Sequence, residues 1–83
     1  MINEKIVNFL ETNPEFSSRI IEKLQLDQSL VEAGILDSFG VIALITFLEE
    51  TFNFRAVAED LSQENFETIN SITQFVEKKI SGQ

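Results

Sequence analysis

The stretch GILDSFGVIALITFLEE, residues 34–50, carries the strongest helical signal in the chain. An Asp-Ser pair lies near its start, and residues 38 to 48 then follow without a charged side chain. Apolar residues recur there at helical spacing, which predicts a helix from Ser38 to about Phe52. Its core-facing stripe is predicted to comprise Ile42, Ile45, Leu48 and Phe52, with Leu44 beside it.

Two helices and a long loop are predicted upstream of this stretch. Helical spacing predicts an amphipathic helix over the first dozen residues, with an apolar face of Ile2, Ile6, Phe9 and Leu10. Asn13-Pro14 ends it, because proline suits the first turn of a new helix that Asn13 can cap. This second helix is predicted to be short and to end at about Lys23. Residues 25–37 are predicted to form a loop pinned onto the core by Leu30, Val31, Ile35 and Leu36.

The C-terminal third predicts a loop, a short turn and a last helix. Residues 51–61 are predicted to form a second connecting loop. Ser62 is predicted to cap a single short turn that runs through Phe66. Two residues could cap the last helix: Ser71, in a Ser-x-x-Gln capping box, and Asn70, an equally good cap. The helix is predicted to end at Lys78-Lys79, where basic residues suit the helix dipole. Its apolar face is predicted to comprise Ile69, Ile72, Val76 and Ile80.

The fold class indicated is all-α, since no sustained apolar–polar alternation predicts a strand. We expect a small bundle of three main helices plus one or two short ones, with a long loop before the second main helix. The 83 residues are expected to form one domain, 1–83, because chains divide only well above this length. Eight phenylalanines and 43% apolar residues are typical of a folded core and not of a disordered acidic tail.

Composition excludes several classes of function. The chain has no cysteine and no histidine, so it lacks disulfides, thiolate ligands and the commonest general base. We therefore predict no catalytic residues, and the scattered acids form no metal-binding loop, so no metal is predicted. A net charge of -8 disfavours nucleic acid as a partner. With no signal-peptide pattern and no apolar run of membrane length, a cytoplasmic protein that binds no membrane is expected. A monomer is also expected.

Two interpretations are open for Ser38. It could simply cap the helix, which is the commoner role of such a serine, and Asp37 could cap equally well with Ser38 at the first helical position. The same position would expose its hydroxyl beside free backbone N–H groups and the positive end of the helix dipole, which favour an attached phosphodiester. No base is available to activate the hydroxyl, so a separate enzyme would have to modify it.

The surroundings of Ser38 resemble the modification site of the phosphopantetheine-dependent carrier proteins: the acyl carrier, peptidyl carrier and D-alanyl carrier proteins. The segment LVEAGILDSF, residues 30–39, is similar to the family's glycine-containing loop and its Asp-Ser pair. Other similar segments are LEETF at 48–52, EDL at 59–61, FETI at 66–69 and NSI at 70–72. The resemblance covers about residues 2–80, and the ordered set of segments carries it, because Asp-Ser alone is a weak signal.

This resemblance implies a function, a cofactor and partners. Ser38 matches the serine that receives 4′-phosphopantetheine from coenzyme A through a separate Mg²⁺-dependent phosphopantetheinyl transferase. The cofactor's thiol would hold an acyl or aminoacyl group as a thioester, so the chain would be a carrier and not an enzyme. Asp37 matches the aspartate that helps orient the site, Phe39 matches a flanking residue that contacts partners, and Gly34 is expected to permit a tight backbone path. An adenylating ligase or acyltransferase, with downstream tailoring or condensing enzymes, would be the further partners.

Two features depart from the fatty-acid carriers of this family. The helix that begins at Ser38 holds no acid before Glu49, and the segment NFRAV, residues 53–57, stands where many relatives have an Ile-Pro-like segment. Together with the Gly-Ile-Leu-Asp-Ser pattern, this favours a discrete aminoacyl or peptidyl carrier, or a specialised acyl carrier, in a biosynthetic pathway. Phe39 is expected to be exposed and Phe47 to lie in the core. The alternative is an unmodified interaction module of the same fold that binds an amphipathic segment between its second and last main helices.

Overall fold

The computed structural model describes residues 1–82 and is built from helices joined by turns and loops. Four are α-helices: α1 (Ile2–Thr12), α2 (Pro14–Ser17), α3 (Ser38–Phe52) and α4 (Ile69–Ser81). Two 3₁₀ helices, Ala58–Asp60 and Gln63–Phe66, lie between α3 and α4. No strand occurs among the described residues. The all-α prediction, with three main helices and a long loop before the second of them, is confirmed.

One cluster of apolar side chains holds these elements together. Fully burying one such side chain contributes about 1.5–3 kcal/mol, so a chain of this size depends on a small number of them. The most deeply buried come from α1, α2, the long loop, α3 and α4: Ile6, Leu10, Phe16, Leu30, Leu44, Leu48, Ile69, Ile72 and Val76. Every main helix contributes to this cluster, and among the three main helices α1 and α4 pack most extensively on each other.

The long loop before α3 is fastened to the core, as predicted. Leu30, Ile35 and Leu36 are buried, whereas Val31 is 46% exposed, so the prediction is wrong for Val31. The reason is a tight turn at 29–34, in which the buried Leu30 anchors the backbone and its neighbour faces outward. The loop is also tied to the approach of α4, because the N–H of Leu30 donates to the carbonyl of Glu67 over 2.9 Å.

The second helix is shorter than predicted. Asn13 caps it as expected, since its side chain accepts a hydrogen bond from the N–H of Glu15, but α2 ends at Ser17 and not at about Lys23. Helical spacing predicts an apolar face of Phe16, Ile20, Ile21 and Leu24 for this helix, and that prediction is wrong beyond Ser17, because Ile21 is 90% exposed and only Phe16 and Leu24 are buried. By leaving the helix at Ser18, the chain brings Arg19 to the start of α3.

The helix α3 has the predicted bounds but a different buried face. Gly40, Leu44, Ile45 and Leu48 are buried, whereas Ile42 is 63% exposed. The prediction that Ile42 faces the core is therefore wrong. Apolar residues occur on nearly every side of α3, so their spacing alone could not predict which side faces the core. The buried side is determined by the contacts of α3 with the rest of the bundle.

The last helix begins earlier than predicted. Thr68 is its N-cap, with a side chain that accepts a hydrogen bond from the N–H of Ser71, so neither Asn70 nor Ser71 has the capping role. The helix also runs past Lys79 to Ser81. Its buried face includes Phe75, whereas Ile80 is 42% exposed. Starting at Ile69 places that side chain inside the core, and this burial selects the earlier cap.

In the part of the chain that the structure describes, no helix has both the length and the apolar character needed to cross a membrane.

Candidate functional site

The start of α3 divides two tasks between neighbouring residues. Asp37 is the N-cap: its Oδ1 accepts a hydrogen bond of 2.7 Å from the N–H of Gly40. Ser38 is the first residue of the helix, and its side chain is exposed. Because Asp37 supplies the capping oxygen, the hydroxyl of Ser38 is left at the surface, beside the positive end of a helix of four turns.

Arg19 completes the surroundings of Asp37. Its Nη1 donates to the carbonyl of Ile35 over 3.3 Å and lies 3.4 Å from Oδ2 of Asp37. The pKa of Asp37 is held below its ordinary value, chiefly by the hydrogen bond from the Gly40 N–H; desolvation opposes this effect, and the charge of Arg19 adds a further, weaker lowering. The carboxylate is therefore ionised at neutral pH and stays available as a cap.

Sequence reasoning missed Arg19. The residue is one of six basic side chains in an acidic chain, which is a weak signal that it has a specific partner. Its contact with Asp37 spans 18 positions, so no local pattern shows the pairing. The contact depends on the early end of α2, which the sequence also failed to predict.

The loop that leads into Asp37 has a defined backbone path. Gly34 has a φ of 77°, a left-handed conformation that a residue without a Cβ adopts at little cost, as its position in the sequence suggested. The carbonyl of Leu30 then accepts hydrogen bonds from the N–H groups of Ile35 and Leu36, over 2.9 and 3.1 Å. These bonds hold the two residues before Asp37 and so fix where the helix begins.

Gly40 lies where the helix start approaches the core most closely. A Cβ at this position would be 2.8 Å from Cε1 of Phe16 and 3.3 Å from Oδ1 of Asp37. Phe16 is fully buried, so its ring has little room to move away. The glycine thus allows α3 to start directly over α2 while Asp37 keeps its capping bond.

Phe39 is exposed, as expected. Its side chain is 80% exposed, next to Ser38 and on the outer side of α3. Ile42 and Thr46 continue this outer side, and both are exposed and uncharged.

Phe47 packs against the core instead, with its ring stacked on Phe9 at 4.1 Å between centroids, although it remains partly exposed.

A groove of about 530 Å³ opens beside Ser38. It lies between the first turns of α3 and the segment 61–66, and not between α3 and α4, where the alternative interpretation had placed a binding groove. Asp37 and Ser38 contribute to its lining, together with Ser62 and Gln63. The apolar lining residues are Val31, Leu36, Val41, Ile42, Leu61 and Phe66. This groove could not be inferred from the sequence, because its two sides, residues 31–42 and 61–66, meet only in the folded chain.

The segment that forms the far side of the groove is fastened to α4. Asp60 accepts a hydrogen bond of 2.8 Å from the N–H of Val57 and pairs with Nζ of Lys79 at 2.9 Å. Both charged side chains are largely shielded, with 18% and 19% of their surfaces exposed. Asn65 adds a hydrogen bond to the carbonyl of Asp60 over 2.9 Å.

Residues 1–82 contain no group of three or more acidic side chains placed to hold a metal ion. The chemistry available at this site is therefore that of an exposed hydroxyl at a helix start, an ionised capping carboxylate and an apolar groove.

Comparison with known proteins gives a consistent set of relatives. No protein-family model matches the chain. The D-alanyl carrier proteins of Streptococcus pyogenes serotype M5 (strain Manfredo) and serotype M1 are each 38% identical over 53 residues, which cover 64% of this chain and 67% of theirs.

A solved structure shares the fold. A chain in the crystal structure of the Bradyrhizobium japonicum glycine:[carrier protein] ligase complexed with glycylated carrier protein superposes with a TM-score of 0.65. The superposition covers 89% of this chain and 92% of that one, with 22% sequence identity.

Proposed function

Because this chain belongs to the carrier protein family, whose members hold a group for other enzymes and are not enzymes themselves, we propose that Ser38 is its attachment residue. The group attached there is proposed to be 4′-phosphopantetheine, donated by coenzyme A. The terminal thiol of this arm would supply the sulfur that holds an acyl or aminoacyl group as a thioester, in a chain that has no cysteine of its own.

The observation that carries this proposal is the division of tasks between Asp37 and Ser38. Asp37 caps α3 through the Gly40 N–H, so the exposed hydroxyl of Ser38 can be modified without loss of the cap. A phosphodiester on Ser38 would lie beside the first N–H groups of α3, where the helix dipole stabilises negative charge. The groove beside Ser38 leaves room for a bulky substituent.

The attachment needs a separate transferase, since the chain has no histidine and no cysteine to act as a base. The Ser38 oxygen forms a new bond to the phosphorus next to the pantetheine in coenzyme A. The pyrophosphate bond breaks, adenosine 3′,5′-bisphosphate leaves, and the serine proton passes to the transferase. Asp37 and Arg19 hold the start of α3 in place, and the hydroxyl of Ser38 lies at its surface.

An aminoacyl group loaded by an adenylating ligase is the proposed cargo. The D-alanyl carrier proteins of Streptococcus pyogenes are similar in sequence, and the Bradyrhizobium japonicum chain with the same fold comes from a complex of a ligase with a glycylated carrier protein. A long flexible arm would raise the effective concentration of the cargo at the active site of each successive enzyme. The exposed outer side of α3, with Phe39, is proposed as the contact for these enzymes.

Intact-mass measurement tests the proposal. Purified protein is incubated with coenzyme A, Mg²⁺ and a broad-specificity phosphopantetheinyl transferase, and the mass is expected to increase by about 340 Da, the mass of one phosphopantetheine group. Ser38→Ala should show no increase while keeping the helical circular dichroism spectrum. A matched control is Ser62→Ala, since Ser62 is an exposed serine of the same groove.

The outcomes separate the two interpretations of Ser38. Modification of the wild type and of Ser62→Ala, but not of Ser38→Ala, supports the attachment site. An unchanged mass in the wild type, or modification that survives Ser38→Ala, would overturn it.

A further inference from the structure

Arg19 lies at the start of α3 although it comes from another part of the chain. Its Nη1 donates to the carbonyl of Ile35 over 3.3 Å and lies 3.4 Å from Oδ2 of Asp37. Both hydrogen bonds that it makes within residues 1–82 use this one nitrogen. A guanidinium has five N–H donors in a planar fork, so most of them are left for a further acceptor. The side chain is also 36% exposed, which leaves it open to a group outside the core.

Other basic side chains of the protein are placed away from this site or already paired. Lys5 and Arg55 lie near the opposite end of α3 from Ser38. The 15 residues of the helix put about 20 Å between its two ends. Lys79 is paired with Asp60 at 2.9 Å. Arg19 is the cation that contacts the start of α3.

Attachment of a phosphodiester at Ser38 would place a second negative charge beside Asp37. Consecutive Cα atoms are about 3.8 Å apart, so the phosphate would lie near the charged carboxylate that pairs with Arg19. Like charges so close repel each other, in a protein whose net charge is already -8. The helix dipole attracts the phosphate with an equivalent of only about half a unit charge. The guanidinium of Arg19 adds a full positive charge at the same place.

We infer that Arg19 is the counterion of the phosphodiester attached to Ser38, and that its guanidinium bridges this phosphate and Asp37. The inference rests on the proposed function, which supplies the phosphate. The carbonyl of Ile35 holds one nitrogen of the guanidinium, and the planar fork offers its other donors to a second oxyanion, as suits arginine and phosphate. Modification thereby strengthens the link between the segment after α2 and the start of α3.

A comparison of unmodified and modified protein tests the inference. Wild type, Arg19→Gln, Arg19→Lys and Lys23→Gln are each studied before and after incubation with coenzyme A, Mg²⁺ and a broad-specificity phosphopantetheinyl transferase. Intact mass verifies the addition. Lys23→Gln is the matched control, because Lys23 is an exposed cation of the same segment that lies beside α1. The change in the thermal unfolding midpoint on modification is measured for each protein at low ionic strength.

The change on modification should be less favourable in Arg19→Gln than in wild type by about 2–4 °C, because the phosphate and Asp37 then repel each other without a cation. Lys23→Gln should match wild type. Arg19→Lys should fall between wild type and Arg19→Gln, since it keeps the charge but loses the fork. In about 1 M NaCl the difference between wild type and Arg19→Gln should largely disappear.

A second measurement uses wild type alone, so it does not depend on how a variant folds or is modified. The chain has two arginines, Arg19 and Arg55, whose guanidinium N–H signals are followed by NMR. On modification the Arg19 signals should move downfield, because its donors gain a charged acceptor. The Arg55 signals should stay unchanged.

Equal midpoint changes in wild type and Arg19→Gln would overturn the inference, and so would Arg19 signals that are the same before and after modification. An equal loss in Lys23→Gln would also overturn it, because net charge and not this contact would be the cause. Failure of the proposed function has a different signature: the mass of the wild type does not change. Failure of the inference alone leaves the mass increase in place.

Discussion

At the scale of single residues, Gly40 supports the site although it has no side chain that could react or bind. Its missing Cβ leaves room for the buried ring of Phe16 below and for the capping oxygen of Asp37 beside it. The exposed hydroxyl of Ser38 depends on that cap, since without Asp37 the serine would be the next available capping side chain. The cap, and with it the exposed hydroxyl, thus depends on the close approach of Gly40 to Phe16.

Gly40→Ala should destabilise the fold. A Cβ 2.8 Å from Cε1 of Phe16 overpacks the core, at a cost of about 1–3 kcal/mol. This exceeds the gain of up to about 1 kcal/mol from replacing a glycine inside a helix. Chemical denaturation measures the difference in the free energy of unfolding.

A double-mutant cycle with Phe16→Leu provides the control for Gly40. If the clash with the ring is the cause, Gly40→Ala should cost less in the Phe16→Leu background than in the wild type. Equal costs in both backgrounds would show that another contact, such as that with Asp37, is responsible.

The residue scale also shows what the sequence could reveal about the site. Local sequence predicts that the Asp37-Ser38 pair lies at the start of an apolar helix, but it left open which of the two caps the helix, and the exposure of Phe39 was expected only from the family resemblance. Arg19 and the groove do not follow, since each depends on segments that meet only in the folded chain.

At the scale of helices, the start of α4 illustrates why boundaries are the weak point of prediction. Thr68, Asn70 and Ser71 lie within four positions, and each is a good N-cap by type. Tertiary contacts make the choice: Ile69 is fully buried and the Asn70 N–H donates to the carbonyl of Leu26 over 2.9 Å. The bounds of α3, by contrast, can be predicted from its own apolar residues. Only the side of α3 that faces the core depends on contacts with the rest of the fold.

Thr68→Ala should destabilise the protein by about 1 kcal/mol, because it removes the acceptor of the Ser71 N–H. Asn70→Ala is the matched control, since its side chain is exposed and only its backbone N–H is bonded to the loop. Denaturant titration of both variants provides the comparison. A larger loss in Asn70→Ala than in Thr68→Ala would contradict the assignment of Thr68 as the cap.

At the scale of the whole molecule, two basic side chains of this acidic protein, Arg19 and Lys79, each form an ion pair that links separate segments. The pair of Asp60 and Lys79 links the far side of the groove to α4, and Arg19 links α2 to the start of α3. The pKa of Asp60 lies below its ordinary value, first because it accepts the Val57 N–H and then because of Lys79, with burial opposing both.

This shift predicts a dependence of stability on pH. A carboxyl whose folded-state pKa is lowered contributes stability above its unfolded-state pKa of about 4, and the contribution is lost as the pH falls through the folded-state value. Lys79→Met removes one of the causes, so it should lower stability at pH 7 by no more than about 1 kcal/mol. The deficit should shrink as the pH falls below about 4 and should disappear once Asp60 is protonated in the folded state of both proteins.

Lys78→Met is the control for charge alone, since Lys78 is the exposed neighbour of Lys79. Unfolding is followed by circular dichroism between neutral and acidic pH for the three proteins. If Lys78→Met and Lys79→Met lost equal stability at pH 7, net charge and not the pair with Asp60 would be the cause.

The most direct test of the account is the mass of this protein as its own cells make it. Cleavage after Lys23 and Arg55 releases the fragment 24–55, which contains Ser38, and fragmentation distinguishes Ser38 from Ser29 within it. The account predicts that this fragment exceeds its sequence mass by about 340 Da, or by more when a group is loaded on the thiol, with the addition on Ser38. A fragment of unmodified mass, or an addition on another residue, would contradict the account.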